Sequence, residues 1–133
     1  MERHIAVVGA GSWGTTVANA VVKNQATILW ARRSELAEKI STRHENVDYL
    51  PGVNLVESLR CSSVLQDVVT NASIVMMAVP SNGFRAVATE VAKFVASDVP
   101  IVSLATRNWF ERRRARGRQV RRHTKQATRN RQS

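Results

Sequence analysis

The fold of this chain is decided by residues 4–14, which read HIAVVGAGSWG. Up to the glycines the run is apolar and rich in β-branched residues, which is typical of a parallel strand buried on both faces. Gly9, Gly11 and Gly14 then form the pattern G-x-G-x-x-G, and apolar residues at helical spacing follow directly. The stretch therefore predicts a strand, a tight turn and a helix.

Each glycine has a separate expected role in that turn. Gly9 permits the tight turn, Gly11 has no Cβ to block phosphates, and Gly14 lets the helix pack closely on the strand. The N–H groups and the positive dipole end of the helix would then bind an anion. We predict a dinucleotide site here. The alternative of a β–α turn without a ligand stays open, because glycine-rich turns are common.

Outward from this stretch, short apolar runs alternate with amphipathic segments. Residues 45–55 contain Pro and Gly without periodicity, which indicates a loop. Strand, helix, strand in alternation is the order of an α/β fold, so we expect a Rossmann-type doubly wound parallel sheet. The further strands are predicted over residues 26–31, 73–80 and 100–105, all buried, and the helices over residues 12–24, 34–44 (with Ser34 as N-cap), 62–72 and 81–96.

The end of the second predicted strand bears on the choice of dinucleotide. A site for NAD usually places Asp or Glu there to accept a hydrogen bond from the ribose 2′-hydroxyl. This chain instead has Arg32 and Arg33, with no acid before Glu35. Because a guanidinium pairs with a 2′-phosphate and stacks on adenine, we expect NADP to be preferred over NAD. Two arginines in a solvated turn are the alternative.

The positive charge of the chain is confined to its last residues. Residues 1–106 hold nine basic and nine acidic residues, whereas residues 107–133 hold eleven basic residues and one acid. We expect a dinucleotide-binding Rossmann domain over 1–106 and an Arg-rich tail over 107–133. In order of preference, the tail is a truncated or out-of-frame product, a disordered solvated tail, or an arm that binds nucleic acid non-specifically.

Other features argue against several protein classes. The single cysteine, Cys61, excludes an internal disulfide and fits a reducing cytoplasm. No apolar run approaches the roughly eighteen residues of a membrane span. The N-terminus enters a strand at once, which leaves no room for a signal peptide. The three histidines are scattered and predict no metal site, and we expect a cytoplasmic protein of unknown oligomeric state.

Together these motifs resemble a known family. The segments AVVGAGSWGTTVA, LWARR, HENVDYLPGVNL, AVPS and VSLAT are similar to the N-terminal domain of bacterial NAD(P)-dependent glycerol-3-phosphate dehydrogenase, over residues 4 to about 106. The resemblance implies oxidation of sn-glycerol 3-phosphate to dihydroxyacetone phosphate, run mainly in reverse for phospholipid synthesis. It also implies that Ser12 and Trp13 contact the cofactor at the pyrophosphate turn.

The resemblance assigns the rest of the cofactor site by position. Arg32 and Arg33 would hold the adenosine end of the dinucleotide, and Tyr49 would lie beside the cofactor. Pro80 and Ser81 would end a strand near the nicotinamide. These assignments make the chain a dinucleotide binder, with NADP or NAD as the expected cofactor.

The chain departs from the family pattern after the last predicted strand. The family continues Thr-Lys-Gly, and that lysine contacts cofactor and substrate, whereas this chain has Thr106 followed by Arg107. The family's catalytic lysine lies in a helical C-terminal domain that this sequence does not contain. We therefore assign no catalytic residue, expect glycerol 3-phosphate to bind only if a complete site exists, and expect no useful turnover from this polypeptide alone.

Overall fold

The computed structural model describes residues 3–104, in which five strands alternate with four helices. The predicted boundary at residue 106 and the basic tail, 107–133, lie outside these residues. The strands are β1 (His4–Val8), β2 (Thr27–Trp30), β3 (Arg60–Ser62), β4 (Ala72–Met77) and β5 (Ile101–Ser103). The helices are α1 (Ser12–Val21), α2 (Ser34–Arg43), α3 (Leu65–Val69) and α4 (Ser81–Phe94).

The strands form one sheet in the order β3-β2-β1-β4-β5. Every strand pair within the described residues is parallel. The order runs outward from β1 to β3 and then continues with β4 on the other side of β1. Ligands of such sheets bind outside the carboxyl ends of the strands where the order reverses, which here is between β1 and β4. The predicted α/β, Rossmann-type doubly wound parallel sheet is confirmed.

The sheet is covered by helices on both faces, and each face has its own apolar core. One cluster joins β1 and β2 to α1 and α2, with Leu29 and Ile40 almost fully buried. The other joins β1 and β4 to α3 and α4 around Val68, Val75 and Met77. The longest described helix, α4, has 14 residues. No helix within residues 3–104 is long and apolar enough to cross a membrane.

Two features of the sheet differ from the sequence prediction. Strand β3 was missed because Arg60, Cys61 and Ser62 form no apolar run; they become a strand only by pairing with β2. Strand β5 was predicted to be buried, which is wrong. It lies at the edge of the sheet next to β4, and Ile101 is 45% exposed.

The predicted element boundaries extend too far at several ends. Strand β4 stops at Met77, three residues before Pro80, and α3 covers only five of the eleven residues predicted as helix. The prediction that Ser34 caps α2 is also wrong. Arg33 is the N-cap, in an extended conformation and without a side-chain capping bond, and Ser34 is the first helical residue.

Cys61 packs against the core on the α1–α2 side of the sheet. Its backbone oxygen accepts a hydrogen bond from the Ser41 hydroxyl at 3.0 Å. Desolvation by burial raises the pKa of the Cys61 thiol to about 12, and outweighs the opposing effect of backbone hydrogen bonds. The thiol is therefore protonated at neutral pH and acts as a small apolar side chain rather than as a nucleophile.

Candidate functional site

A cleft of about 950 Å³ opens at the carboxyl ends of the strands. Its walls come from the segments that follow β1, β2, β4 and β5, together with the first turns of α1 and α4. The structure brings all of the residues predicted to contact the cofactor into this one cleft: Gly9, Gly11, Ser12, Trp13, Gly14, Arg32, Arg33, Tyr49, Pro80 and Ser81.

The turn between β1 and α1 is packed so tightly that two of its positions admit only glycine. Gly9 has φ +119°, in the region that disfavours side chains, and a Cβ there would lie 2.8 Å from the Ala78 carbonyl oxygen. A Cβ on Gly14 would lie 1.9 Å from the Gly9 carbonyl oxygen. Because these two positions carry no side chain, α1 can pack directly against the end of β1 and the segment after β4.

Gly11 has the opposite environment. A Cβ built on it would meet no atom within 4 Å among the described residues, so the space in front of it opens into the cleft. Gly11 is the N-cap of α1 and makes no side-chain capping bond, and the first turn of α1 carries no acid. The first N–H groups of α1 therefore face a space where an anion can approach them closely.

A second helix also begins at this cleft. Helix α4 starts at Ser81 with Pro80 as N-cap, and Ser81, Asn82 and Gly83 all line the cleft. The prediction that Pro80 and Ser81 end a strand is wrong, since β4 stops at Met77. Because the first turn of α4 also lacks an acid, the positive dipole ends of two helices converge on one cavity.

Asn46 ties the loop after α2 to the glycine turn. Its side chain is fully buried and donates hydrogen bonds of 2.8 Å to the Ala10 carbonyl oxygen and to the Thr15 hydroxyl. Its own amide oxygen accepts a bond of 3.2 Å from the Tyr49 backbone N–H. Through these bonds Asn46 holds Tyr49, which is 50% exposed, beside the cleft. Asn46 lies in the segment HENVDYLPGVNL, and no role was predicted for it from the sequence.

The two arginines after β2 are not equivalent. The Arg33 guanidinium donates a hydrogen bond to Asp48 and forms an ion pair with it at 2.5 Å. This hydrogen bond, more than the charges of Asp48, Tyr49 and Glu35, raises the pKa of Arg33 above its ordinary value. Arg32 is exposed and forms no ion pair with any residue from 3 to 104. Within the described part of the chain, therefore, no carboxylate is paired with Arg32 at the cleft.

With this geometry established, comparison with known proteins assigns the chain to a family. Residues 4–111 match the model of the NAD-dependent glycerol-3-phosphate dehydrogenase N-terminus. The chain belongs to this family. The resemblance inferred from the motifs is confirmed.

The curated relatives include glycerol-3-phosphate dehydrogenases [NAD(P)+] from two bacteria. That of Sphingopyxis alaskensis, which carries the number 2 in its name, is 43% identical over 104 residues, covering 78% of this chain and 31% of the relative. That of Corynebacterium glutamicum strain R is 45% identical over 102 residues, covering 76% of this chain and 31% of the relative. The chain thus spans about a third of the length of the glycerol-3-phosphate dehydrogenases it matches.

Solved glycerol-3-phosphate dehydrogenases share the fold of the described residues. The Saccharomyces cerevisiae enzyme superposes with a TM-score of 0.73 at 28% identity, over 80% of this chain and 34% of that one. The Coxiella burnetii enzyme superposes with a TM-score of 0.71 at 29% identity, over 76% of this chain and 32% of that one. The match again covers about a third of a longer chain.

The lining of the cleft limits the chemistry that this glycerol-3-phosphate dehydrogenase domain can carry out. Among residues 3–104, those that line the cleft include no Asp, Glu, His, Lys or Cys. The side chains that sequence reasoning missed there are mainly apolar, and the largest is Trp30, whose indole N–H donates to the Ser63 carbonyl oxygen at 3.0 Å. Trp30 could have been predicted to line the cleft, because it is a large aromatic residue at the end of β2. The described residues can therefore bind and orient an anionic, partly aromatic ligand, but they supply no paired acid and base.

Proposed function

We propose that this domain binds NADP or NAD in the cleft and prefers NADP. The observation that carries the proposal is the junction of Gly11 with the first turn of α1. Among the described residues, the position that a Cβ would fill is open, the first turn of α1 carries no acid, and the N–H groups of the helix face this space. The residues fit a pyrophosphate because such a helix terminus stabilises negative charge. The cleft is also large enough for a dinucleotide.

Within this proposal, the remaining lining residues contact different parts of the dinucleotide. Ser12 and Trp13 contact the pyrophosphate, Arg32 and Arg33 hold the adenosine end, and Tyr49 closes one side. Pro80 and Ser81, at the start of α4, lie toward the nicotinamide. When bound, the dinucleotide supplies the hydride acceptor or donor. The chain's own residues bind the dinucleotide, orient it and exclude water from part of its surface.

We further propose that the hydride is exchanged with glycerol 3-phosphate, as the names of the relatives indicate, giving dihydroxyacetone phosphate in the oxidative direction. The cleft lining within residues 3–104 offers no carboxylate, imidazole or amine for proton transfer, so we propose that this step uses groups from elsewhere. We propose the cytoplasm as its location, which the protonated, unpaired Cys61 supports. The nucleic-acid alternative rests on residues outside those described.

The first test is dinucleotide binding by the 133-residue chain. We expect isothermal titration calorimetry to give one site per chain with micromolar affinity for NADPH and weaker affinity for NADH. An absorbance assay at the NADH band with glycerol 3-phosphate is expected to show no turnover. Failure to bind either dinucleotide at about 1 mM would contradict the proposed function.

Replacing Arg32 by Gln tests the adenosine end. We expect NADPH affinity to fall about tenfold and NADH affinity to change less than about twofold, because only NADPH carries the 2′-phosphate that a guanidinium pairs with. The control is Arg43→Gln, an exposed arginine in the last turn of α2, away from the cleft. Equal losses of affinity for NADPH and NADH would show that Arg32 does not recognise the 2′-phosphate.

A further inference from the structure

We infer that Asp48 is a specificity-determining residue of this site, and that it acts through Arg33 to reduce the preference for NADP over NAD. The inference rests on the proposed dinucleotide function. Asp48 does not line the cleft, whereas Arg33 does. Asp48 is therefore a positioning residue, whose effect on the cofactor depends on the arginine it holds.

The contact that carries the inference is the ion pair between Arg33 and Asp48. It joins Nη2 of Arg33 to Oδ2 of Asp48 at 2.5 Å, with side chains 51% and 31% exposed. The neighbouring Arg32 has no such partner within residues 3–104. One of the two cations at the adenosine end is thus compensated by a carboxylate, and the other is not.

Asp48 is held where it stands by the backbone around it. The next residue, Tyr49, donates its N–H to the amide oxygen of the fully buried Asn46. The N–H of Leu50 also donates to the Asn46 carbonyl oxygen at 2.8 Å. Since Asn46 is itself bonded to Ala10 in the glycine turn, the carboxylate is placed relative to the cleft by a buried network.

This position of Asp48 reduces the positive charge and the hydrogen-bond donors that Arg33 offers to a 2′-phosphate. The carboxylate takes one N–H of the Arg33 guanidinium and cancels its charge, so a phosphate must share or displace it. A ribose 2′-hydroxyl carries no charge and does not compete for the guanidinium. Asp48 therefore weakens NADPH binding selectively and leaves NADH binding nearly unchanged.

The experiment compares the NADPH and NADH affinities of Asp48→Asn with those of the unchanged 133-residue chain, by calorimetry. We expect NADPH to bind about fivefold more tightly, the scale of one exposed ion pair, with NADH unchanged within about twofold. The gain is expected to shrink at high salt, since exposed charges are screened. The basic tail is the same in both chains, so its contribution to binding cancels.

Three variants separate the ion pair from other causes. Asp48→Glu retains the carboxylate and is expected to keep the original ratio of affinities. Glu35→Gln removes an equal charge that acts on Arg33 and leaves the hydrogen bond between Arg33 and Asp48 intact, so it is expected to give a clearly smaller gain. In an Arg33→Gln background, Asp48→Asn is expected to have no effect, because the residue it acts through is gone.

Several results would overturn the inference. These are equal changes for both dinucleotides, weaker NADPH binding by Asp48→Asn, an equal gain from Glu35→Gln, or a gain that persists without Arg33. A merely structural role for Asp48 predicts the first of these. If the unchanged chain binds neither dinucleotide, the proposed function fails instead, and the two failures are thereby distinguished.

Discussion

Replacing Gly14 by alanine is expected to destabilise the domain by about 3 kcal/mol or more, which would lower the melting temperature by about 15 °C. The added Cβ would lie 1.9 Å from the Gly9 carbonyl oxygen and 3.0 Å from the Ala78 Cβ. Alanine's better helix propensity returns only about 1 kcal/mol. The clash is with backbone, so α1 must move away from β1. Thermal and urea unfolding followed by circular dichroism measure this loss.

Gly11→Ala is the matched control three residues earlier. A Cβ there meets nothing within 4 Å, and the backbone, at φ −73° and ψ −174°, suits any residue. We expect a stability change of about 1 kcal/mol or less from the poorer N-cap. NADPH binding should nevertheless be lost, because the methyl group fills the space proposed for the pyrophosphate. A stable Gly14→Ala variant, or an equally unstable Gly11→Ala variant, would refute this account of the turn.

The fold was predictable because its main signals are local in the sequence. Buried parallel strands require continuous apolar runs, and such runs mark β1, β2 and β4 directly. The glycine turn is also a local signal, because Gly9 and Gly14 are in contact and lie only a few residues apart in the sequence. The three-residue β3 gave no such signal. It is a strand because its residues pair with β2, from which it is separated by α2 and a long loop.

The loop over residues 45–55 was likewise predicted only in part from the sequence. Its Pro and Gly correctly predicted irregular backbone, yet Leu55 is only 5% exposed and packs in the core with α1 and α2. Its N–H donates to the His44 carbonyl oxygen at 2.8 Å, and the next N–H donates to the Asn19 side chain at 2.8 Å. A single leucine outside any periodic pattern cannot be assigned to a core from sequence alone.

The candidate site was also predictable only in part: the lining residues could be named from the sequence, but the contacts that position them could not. Residues named from the glycine motif and from the ends of the strands all line the cleft, because parallel strands bring their carboxyl ends to one edge. The contacts that position them are long-range. Asn46 lies 31 residues from Thr15, and Asp48 lies 15 residues from Arg33. No spacing rule links such pairs, so only the folded chain reveals them.

Asn46→Ala is expected to cost about 3 kcal/mol, since the side chain is fully buried and makes three hydrogen bonds. Its removal takes the Asn46 partner away from the buried Ala10 carbonyl oxygen and from the part-buried Tyr49 N–H, and leaves a cavity. The melting temperature should fall by about 15 °C. NADPH binding to the remaining folded protein should also weaken, because the loop no longer holds Tyr49 beside the cleft.

Two further variants assign this loss to the hydrogen bonds of Asn46. Asn54→Ala removes the same side chain from an exposed position of the same loop and should change stability by less than about 0.5 kcal/mol. Asn46→Asp keeps the volume but cannot donate when ionised, so its carboxylate would face the Ala10 carbonyl oxygen. It should be at least as unstable as Asn46→Ala at neutral pH, and should recover part of the loss as the pH falls and the carboxyl is protonated. An Asn46→Asp variant as stable as the unchanged chain would show that volume alone is required, and that the loop is held by packing rather than by the two donated bonds.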